Sequence, residues 1–416
     1  MQITFRDYQT DIISKGSEVL KKLRIIYLAM EVRTGKTLTA LGICQNMNAK
    51  NVLFITKKKA ISSIKNDYKL LYPDYLLEVV NYESVHKVDF KKFDIIICDE
   101  AHTLGAYPKP SLRTKRLKQL IGKKYLIMLS GTPTPESYSQ IYHQFWISEF
   151  SPFEEKSFYK WSHNYVNIVK KKINGYDIND YKNANEKLIR QKTNKYVITY
   201  TQKEAGFTSK VEESILYVNM KPTTYSLVNK LKKDLVFEGK NGGVILGDTA
   251  VKLMQKTHQI YSGTVKLEDG SSVILDTSKA DFIKSKFSKL KIAIFYKFKA
   301  ELELLQRIYG PELTTDLDDF NTSNKNIALQ IVSGREGVKL SNADYLVFFN
   351  IDFSATSYFQ AKDRMTTKER LINKVFWIFS KGGLEDKIYK TVQGKKNFTT
   401  KHFERENIPI QVNQRI

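Results

Sequence analysis

The residues best suited to chemistry follow an apolar run near the N-terminus. Met30-Glu-Val-Arg-Thr-Gly-Lys-Thr37 lies between the apolar run 25–29 and the helix-like segment 38–43. A strand, a tight glycine-containing loop and a helix start are the parts of a phosphate-binding loop, whose backbone N–H groups hold phosphate oxygens. In such a loop Lys36 reaches the β- and γ-phosphates, and the Thr37 hydroxyl ligates Mg²⁺.

The match to this pattern is incomplete. A small residue is usual at the position of Met30, and the tripeptide Gly35-Lys-Thr37 also occurs in ordinary strand-to-helix turns. If the loop binds a nucleotide, Thr34 and Gly35 line it together with Lys36. The rest of the chain has to decide between a nucleotide site and a structural turn.

An acidic cluster follows another apolar run. The apolar run at residues 93–98 predicts a buried strand, and Asp99-Glu-Ala-His102 comes directly after it. In phosphate-loop ATPases, one carboxylate at this place holds Mg²⁺ through its water shell, and a second one activates the attacking water. Asp99 and Glu100 fit these two roles; the alternative is a solvated acidic turn. A further polar segment, Ser130-Gly-Thr-Pro133, follows the next strand, and its hydroxyls can bridge the cluster to other parts of the protein.

Strands and helices alternate along both halves of the chain. The predicted strands are 25–29, 51–56, 76–80, 93–98 and 125–129 in the first half, and 292–296, 327–332, 345–349 and 375–379 in the second. Such alternation is typical of parallel α/β sheets, which bind ligands outside the carboxyl ends of their strands. We therefore predict an α/β fold with two tandem lobes, residues 1–205 and 206–416. A mostly helical, aromatic-rich insert from Phe145 to about Tyr200 connects them, and its rings either pack in a core or stack on bases.

The charge balance favours a polyanionic partner. Lys and Arg number 67 against 44 Asp and Glu, a net charge of +23, and such a surface attracts nucleic-acid phosphates. A generally Lys-rich proteome would give the same composition. The sequence has no membrane-spanning apolar run and no signal-peptide core at its N-terminus. Cys44 and Cys98 lie in apolar segments, as expected for free thiols in a reducing cytoplasm.

The order of these segments resembles superfamily 2 helicases. The segments are Gln9, Gly35-Lys-Thr37, Asp99-Glu-Ala-His102, Ser130-Gly-Thr-Pro133, Ser333–Gly337 and Gln360–Arg364. The chain is most similar to Swi/Snf-like DNA translocases with a DEAH-type acidic box, in the compact form encoded by bacteriophages. The resemblance covers nearly the whole chain. It implies two RecA-like lobes that bind ATP, Mg²⁺ and nucleic acid.

The resemblance also implies roles for residues outside the phosphate loop and the acidic cluster. They are Arg6 and Gln9 for adenine, Thr56 and Lys57 for the phosphate backbone of the tracked strand, and Ser333 and Gly337 for nucleic acid or nucleotide contacts from the second lobe. For the run Lys57-Lys-Lys59, a solvated basic turn is an equally good interpretation.

Gln360 and Arg364 belong to the segment that completes the ATP site from the second lobe in this family. A cation there stabilises the charge that develops on the γ-phosphoryl oxygens. The family usually has a second arginine three residues after the first, where this chain has Thr367. Because lysine is a poor substitute for a bidentate guanidinium, Arg370 is a better second candidate than Lys368.

The sequence therefore predicts a monomeric, ATP-dependent DNA translocase or helicase. The resemblance implies duplex or branched DNA as its track, a role in replication, recombination or repair, protein partners for targeting, and the host cytoplasm if a phage encodes it. An RNA helicase remains an alternative, since the acidic box is shared. Met30, Arg33 and Thr367 keep open a nucleotide-gated DNA-binding module with weak turnover. A motor subunit of a restriction or repair complex is a further alternative.

Overall fold

The computed structural model of the protein describes residues 4–173, 176–206, 210–239, 242–334, 340–354, 357–358 and 372–394. The chain divides into two compact units, Met1–Phe207 and Thr208–Ile416. In its described residues, each unit contains a parallel six-stranded sheet. The predicted α/β fold class with two tandem RecA-like lobes is confirmed.

The first unit alternates strands and helices from its start. Its elements are α1 (Asp7–Leu23), β1 (Ile25–Met30), α2 (Lys36–Asn46), β2 (Asn51–Thr56), α3 (Ile61–Leu71), β3 (Leu76–Asn81), β4 (Ile95–Cys98), α4 (Leu112–Ile121), β5 (Tyr125–Leu129), α5 (Ile141–Trp146), α6 (Phe158–Tyr165), β6 (Val169–Ile173), β7 (Tyr176–Asp180), α7 (Glu186–Thr193) and β8 (Val197–Tyr200). Short 3₁₀ turns connect several of them, including Lys58–Ala60, Ala101–Leu104 and Tyr138–Gln140.

The first sheet has the strand order β3-β2-β4-β5-β1-β8. Successive side chains of β1 pack on opposite faces: Ile25 and Tyr27 join the cluster that contains residues of α4 and α5, whereas Ile26 and Leu28 join the cluster with residues of α1 and α2. Burial on both faces explains why these strands are continuous apolar runs. Because β5 lies between β1 and β4, the polar segments after these three strands emerge side by side at the carboxyl edge.

The second unit repeats the parallel arrangement. Its elements are β9 (Lys210–Val218), α8 (Pro222–Asp234), β10 (Val236–Glu238), β11 (Val244–Leu246), α9 (Ala250–Tyr261), β12 (Thr264–Lys266), β13 (Ser272–Ile274), α10 (Ser278–Lys286), β14 (Ile292–Tyr296), α11 (Lys299–Tyr309), β15 (Leu313–Thr314), α12 (Leu317–Thr322), β16 (Asn326–Gln330), α13 (Ile331–Gly334), β17 (Tyr345–Phe348), β18 (Ile372–Ser380) and α14 (Glu385–Gln393). The sheet order is β15-β16-β14-β17-β18-β9.

The segment between Phe145 and Tyr200 differs in part from the mostly helical structure that we predicted. β6 and β7 form an antiparallel hairpin within it. The prediction missed this hairpin because its strands have no buried face and therefore lack an apolar alternation. The aromatic residues of the segment that lie in the buried cluster of the first unit are Phe145, Phe153, Phe158, Trp161, Tyr165, Tyr181 and Tyr196. Packing, rather than stacking on bases, is the role of these rings.

None of the helices in the described part of the chain is long and apolar enough to cross a membrane. Cys44 and Cys98 are buried free thiols, as the sequence predicted.

Candidate nucleotide-binding site

The loop between β1 and α2 turns sharply just before the helix. Arg33 and Gly35 have φ angles of 64° and 82°. A Cβ on Gly35 would lie 2.4 Å from Gln9 Nε2, so only glycine fits there. Since the N-cap residue is this glycine, α2 begins at Lys36 without a side-chain cap for the N–H groups of its first turn. The N-terminus of such a helix attracts anions, and the loop fits the phosphates of a nucleotide.

Lys36 and Thr34 both bond the carbonyl oxygen of Glu31 within this loop. Lys36 Nζ donates to it over 3.1 Å and Thr34 Oγ1 over 2.8 Å. Thr34 is buried, its N–H also donates to Glu31, and its carbonyl accepts the Tyr8 hydroxyl. Thr34 is thus a buried residue whose hydrogen bonds stabilise the conformation of the loop. The positive charge of Lys36 opposes the rise in the pKa of Asp99 that burial causes.

Arg6 and Gln9, the residues expected to read adenine, lie beside the loop. Gln9 is buried; its Nε2 donates to the carbonyl of Gly35 over 3.3 Å and to Thr39 Oγ1 over 3.4 Å. Its Oε1 accepts the N–H of Arg6 over 3.0 Å. Arg6 is exposed, and its guanidinium donates to the Tyr8 hydroxyl over 3.0 Å. Gln9 is therefore fixed against the phosphate loop, with Arg6 at the surface next to it.

The chain that follows β8 also holds the phosphate loop, a contact that the sequence reasoning missed. Glu31 N–H donates to the carbonyl of Tyr200 over 2.9 Å. Gln202 donates twice, from its N–H to Glu31 Oε2 over 2.7 Å and from Nε2 to the carbonyl of Val32 over 3.0 Å. The ring of Tyr200 stacks on Tyr8 with 4.5 Å between centroids. Because 170 residues separate Gln202 from Val32, no local pattern reveals this contact.

Asp99 is held at the end of β4 by its neighbours. Thr56 Oγ1 donates to Oδ2 over 2.8 Å, the Glu100 N–H donates to Oδ1 over 2.9 Å, and the Tyr82 hydroxyl donates to the Asp99 carbonyl over 2.5 Å. Burial, and next the charge of Glu100, raise the pKa of Asp99 to about 6, whereas the Thr56 hydrogen bond and Lys36 oppose this rise. A divalent cation next to the carboxylate acts in the same direction as Lys36 and favours the ionised form.

Thr56 and Lys57 are the residues expected at a nucleic-acid backbone. Thr56 is fully buried and its hydroxyl faces Asp99, so this side chain belongs to the acidic site rather than to the surface. Lys57 is half-buried and precedes the 3₁₀ turn that contains the exposed Lys58 and Lys59. These lysines are the part of the segment that can reach a phosphate backbone.

Glu100 links the acidic cluster to the segment after β5. Its backbone is left-handed, with φ of 49°, a conformation that is uncommon for residues other than glycine. Glu100 Oε2 lies 3.2 Å from His102 Nδ1, which lies 3.0 Å from Ser130 Oγ. Ser130 Oγ also accepts the Thr132 N–H over 3.1 Å. The Ser130 hydroxyl therefore connects His102 of the acidic cluster with the backbone of its own segment.

Tyr27 extends these contacts through the core of the first unit. Its hydroxyl donates to Gln144 Oε1 over 2.7 Å, and Gln144 Nε2 donates to the carbonyl of Pro133 over 2.8 Å. Burial raises the pKa of Tyr27 far above its ordinary value, so the hydroxyl keeps its proton. The sequence did not reveal this role, because Tyr27 lies in an apolar strand, 117 residues before Gln144.

The second unit supplies the remaining predicted residues. Gly337, Gln360, Arg364 and Arg370 lie outside the described residues. Ser333 falls in α13, but its side chain is outside the described part of the chain.

Thr37, in the first turn of α2, and Asp99, after β4, provide the oxygen ligands that Mg²⁺ prefers. The described residues include no group of three or more His, Cys, Asp or Glu side chains that could hold a metal ion alone. Mg²⁺ commonly binds through one or two protein oxygens, nucleotide phosphates and water. The donor set therefore fits magnesium that arrives with a nucleotide.

Comparison with known proteins gives two family matches and a structural one. Residues 50–264, just over half of the chain, match the family described as SNF2-related domain. Residues 2–89 match the family described as type III restriction enzyme, res subunit. Among solved structures, the chain is similar to the Sulfolobus solfataricus SWI2/SNF2 ATPase core in complex with dsDNA, with 16% identity, a TM-score of 0.45, and coverage of 95% of this chain and 92% of that one. No curated protein matches the chain significantly.

Proposed function

Because the chain belongs to the SNF2-related domain family, we propose that it is an ATPase that uses ATP hydrolysis to move along DNA. The observation that carries the proposal is the meeting of three segments at one edge of the first sheet. They are the phosphate loop with Lys36 after β1, the acidic cluster with Asp99 and Glu100 after β4, and the Ser130 segment after β5. Parallel sheets bind their ligands at this edge.

Each side chain has a separate task in this proposal. ATP supplies the phosphoryl group, and its Mg²⁺ neutralises charge on the phosphate oxygens. The first turn of α2 and Lys36 hold phosphate oxygens, and Thr37 and Asp99 hold the cation. Glu100 orients the attacking water and accepts its proton, while His102, 3.2 Å away, fixes the carboxylate.

We extend the proposal to residues that the family resemblance implies. Arg6 and Gln9 recognise the adenine. Gln360 and Arg364, with Arg370 as the second candidate, stabilise the charge on the γ-phosphoryl oxygens. In related phosphoryl-transfer proteins, such a cation contributes about 10³–10⁵ in rate.

Duplex or branched DNA is the track that we propose. The net charge of +23 supports a polyanionic partner. Lys57 contacts the phosphate backbone, and Ser333 and Gly337 contact nucleic acid or nucleotide. We propose that the protein is of the compact bacteriophage type and acts in replication, recombination or repair. Partner proteins would target it to its DNA.

The test is ATP hydrolysis without DNA and with single-stranded, duplex, forked and four-way DNA. We expect DNA to raise the rate of the wild type. Lys36→Ala should abolish hydrolysis and weaken ATP binding, whereas Glu100→Gln should abolish hydrolysis and retain ATP binding. Absence of hydrolysis by the wild type with every DNA would refute the proposal, and stimulation by RNA alone would select an RNA helicase. Strand displacement on the forked substrate separates unwinding from movement along duplex.

A nucleotide-gated DNA-binding module with weak turnover is the second candidate. Met30 is fully buried at the place where a small residue is usual, and Arg33 has a positive φ angle within the phosphate loop. Tight DNA binding that ATP modulates without turnover would favour this candidate.

A further inference from the structure

The β6–β7 hairpin stands apart from the sheet of the first unit. Among the described residues, its strands pair only with each other, in a register that runs from Val169 opposite Asp180 to Ile173 opposite Tyr176. The described side chains between Val169 and Asn179 are all exposed, and none belongs to the buried cluster beneath the hairpin. A two-stranded hairpin is marginally stable by itself in water, so packing does not explain why the chain carries this one.

The two faces of the hairpin differ in chemistry. Side chains alternate along a strand and directly opposite residues share a face. Lys170 and Lys172 therefore lie on one face with Asn179 and Asp177, and Lys171 lies on the other with Val169, Ile178 and Asp180. Lys171 forms an ion pair with Asp180, whereas Lys170 and Lys172 form no ion pair with any described residue. The aliphatic side chains on the second face are about half exposed, at 45% for Val169 and 46% for Ile178. The hairpin thus presents two lysines and one aspartate on one face, and Val169 and Ile178 beside the Lys171–Asp180 ion pair on the other.

The base of the hairpin is fixed to the loop that follows β5. Ser137 Oγ donates to the carbonyl of Lys182 over 2.7 Å, and Ser139 Oγ donates to the carbonyl of Tyr181 over 2.5 Å. A β-bridge between Val166 and Ala184 closes the base. This loop continues from the Ser130 segment, so its two hydrogen bonds join the hairpin to the stretch of chain that leaves the candidate site. A fixed base lowers the entropy that binding would cost.

A two-stranded ribbon with this charge matches the shape and chemistry of duplex DNA. The major groove admits a β-ribbon, its walls carry phosphates, and thymine methyl groups in it accept aliphatic contacts. We propose that the β6–β7 hairpin is a DNA-binding element that enters a groove of duplex DNA, with Lys170 and Lys172 on the phosphates. The inference rests on the proposed function and adds DNA contacts to those proposed for Lys57 and Ser333.

Binding of a fluorescent DNA duplex to the full chain, followed by anisotropy over a range of salt concentrations, tests the inference. The variant is Lys170→Ala/Lys172→Ala. The matched control is Lys21→Ala/Lys22→Ala, which removes two exposed lysines from the last turn of α1, at the opposite edge of the sheet. Each phosphate contact contributes about 0.9 to the slope of log K against log salt. In the hairpin variant the magnitude of that slope should fall by about two, and binding near 0.1 M salt should be on the order of 10-fold weaker. The control should keep the wild-type slope.

A second variant probes the aliphatic face: Ile178→Asp should weaken duplex binding with no change in the thermal unfolding temperature. Equal affinity and slope in the wild type and the hairpin variant would overturn the inference, as would equal losses in the hairpin variant and the control. If the hairpin variant bound duplex DNA as tightly as the wild type and lost affinity only for duplex RNA, DNA would be the wrong ligand. If the wild type binds no nucleic acid, the proposed function fails as well, an outcome distinct from failure of the hairpin alone.

Discussion

Replacing Thr56 with valine removes one hydroxyl from the acidic site and keeps the shape of the side chain. In the wild type this buried hydroxyl donates to Asp99 Oδ2 over 2.8 Å. A hydrogen bond to a charged acceptor contributes about 1.5–3 kcal/mol, and one pKa unit corresponds to about 1.4 kcal/mol. Loss of the bond should therefore raise the pKa of Asp99 by roughly one to two units above its value of about 6.

The expected result follows from the direction of this shift. In the proposed function, hydrolysis needs the ionised Asp99 carboxylate, so the wild-type rate should be nearly constant above about pH 7.5 and fall as the pH drops through about 6. In Thr56→Val the fall should begin roughly one to two pH units higher. Added Mg²⁺ should restore the rate near neutral pH, because the cation and the proton compete for the same carboxylate. Steady-state ATPase rates over a grid of pH and Mg²⁺ concentration measure both effects.

Thr224→Val is the matched control. The Thr224 hydroxyl is also buried and donates to Asp276 Oδ2 over 2.6 Å, but in the second unit. This control should lower the free energy of unfolding without displacing the ATPase pH profile, and Thr56→Ser should restore the wild-type profile. A Thr56→Val profile that coincides with the wild type would refute the reasoning. So would a loss of rate that is equal at every pH and every Mg²⁺ concentration.

Three further substitutions test contacts that only the tertiary structure reveals. Gln202→Ala removes a side-chain hydrogen bond to the phosphate loop and should raise KM for ATP by up to about 10-fold with a smaller change in kcat, whereas Lys203→Ala should leave KM unchanged. Lys279→Met leaves the fully buried Glu385 carboxylate without its partner at 2.9 Å, so urea unfolding should show a loss of about 3–5 kcal/mol, most of which Lys279→Met/Glu385→Leu recovers. Burial lowers the pKa of His143 to about 4, so the folded protein resists protonation that the unfolded chain accepts. The free energy of unfolding should be unaffected by this group above about pH 6.5 and fall toward pH 4, by about 2 kcal/mol at pH 5, and His143→Gln should remove that dependence. An unchanged KM, a double variant as unstable as the single one, or identical pH curves for wild type and His143→Gln would each contradict the corresponding expectation.

The local patterns of the sequence predicted both sheets and the polar segments at their edge. Continuous apolar runs of five or six residues specify strands buried on both faces, and a glycine before Lys36 specifies the turn into a helix. The hairpin β6–β7 was missed, because the three consecutive lysines between Val169 and Ile173 leave no alternation of apolar and polar residues. The pair Asn174-Gly175 was the available indication, since these two residues favour a two-residue hairpin turn.

What the sequence determined by itself is which residues carry charge and where along the chain strands end, because periodicity and turn chemistry act over a few residues. The tertiary structure decided which of these residues meet. In the tertiary structure, the Thr56 hydroxyl donates to Asp99, Gln202 donates to the phosphate loop, and Ser137 donates to the base of the hairpin. These contacts depend on strand order, which brings residues more than 40 positions apart to the same edge of a sheet. Strand order cannot be predicted from the sequence pattern of a few neighbouring residues.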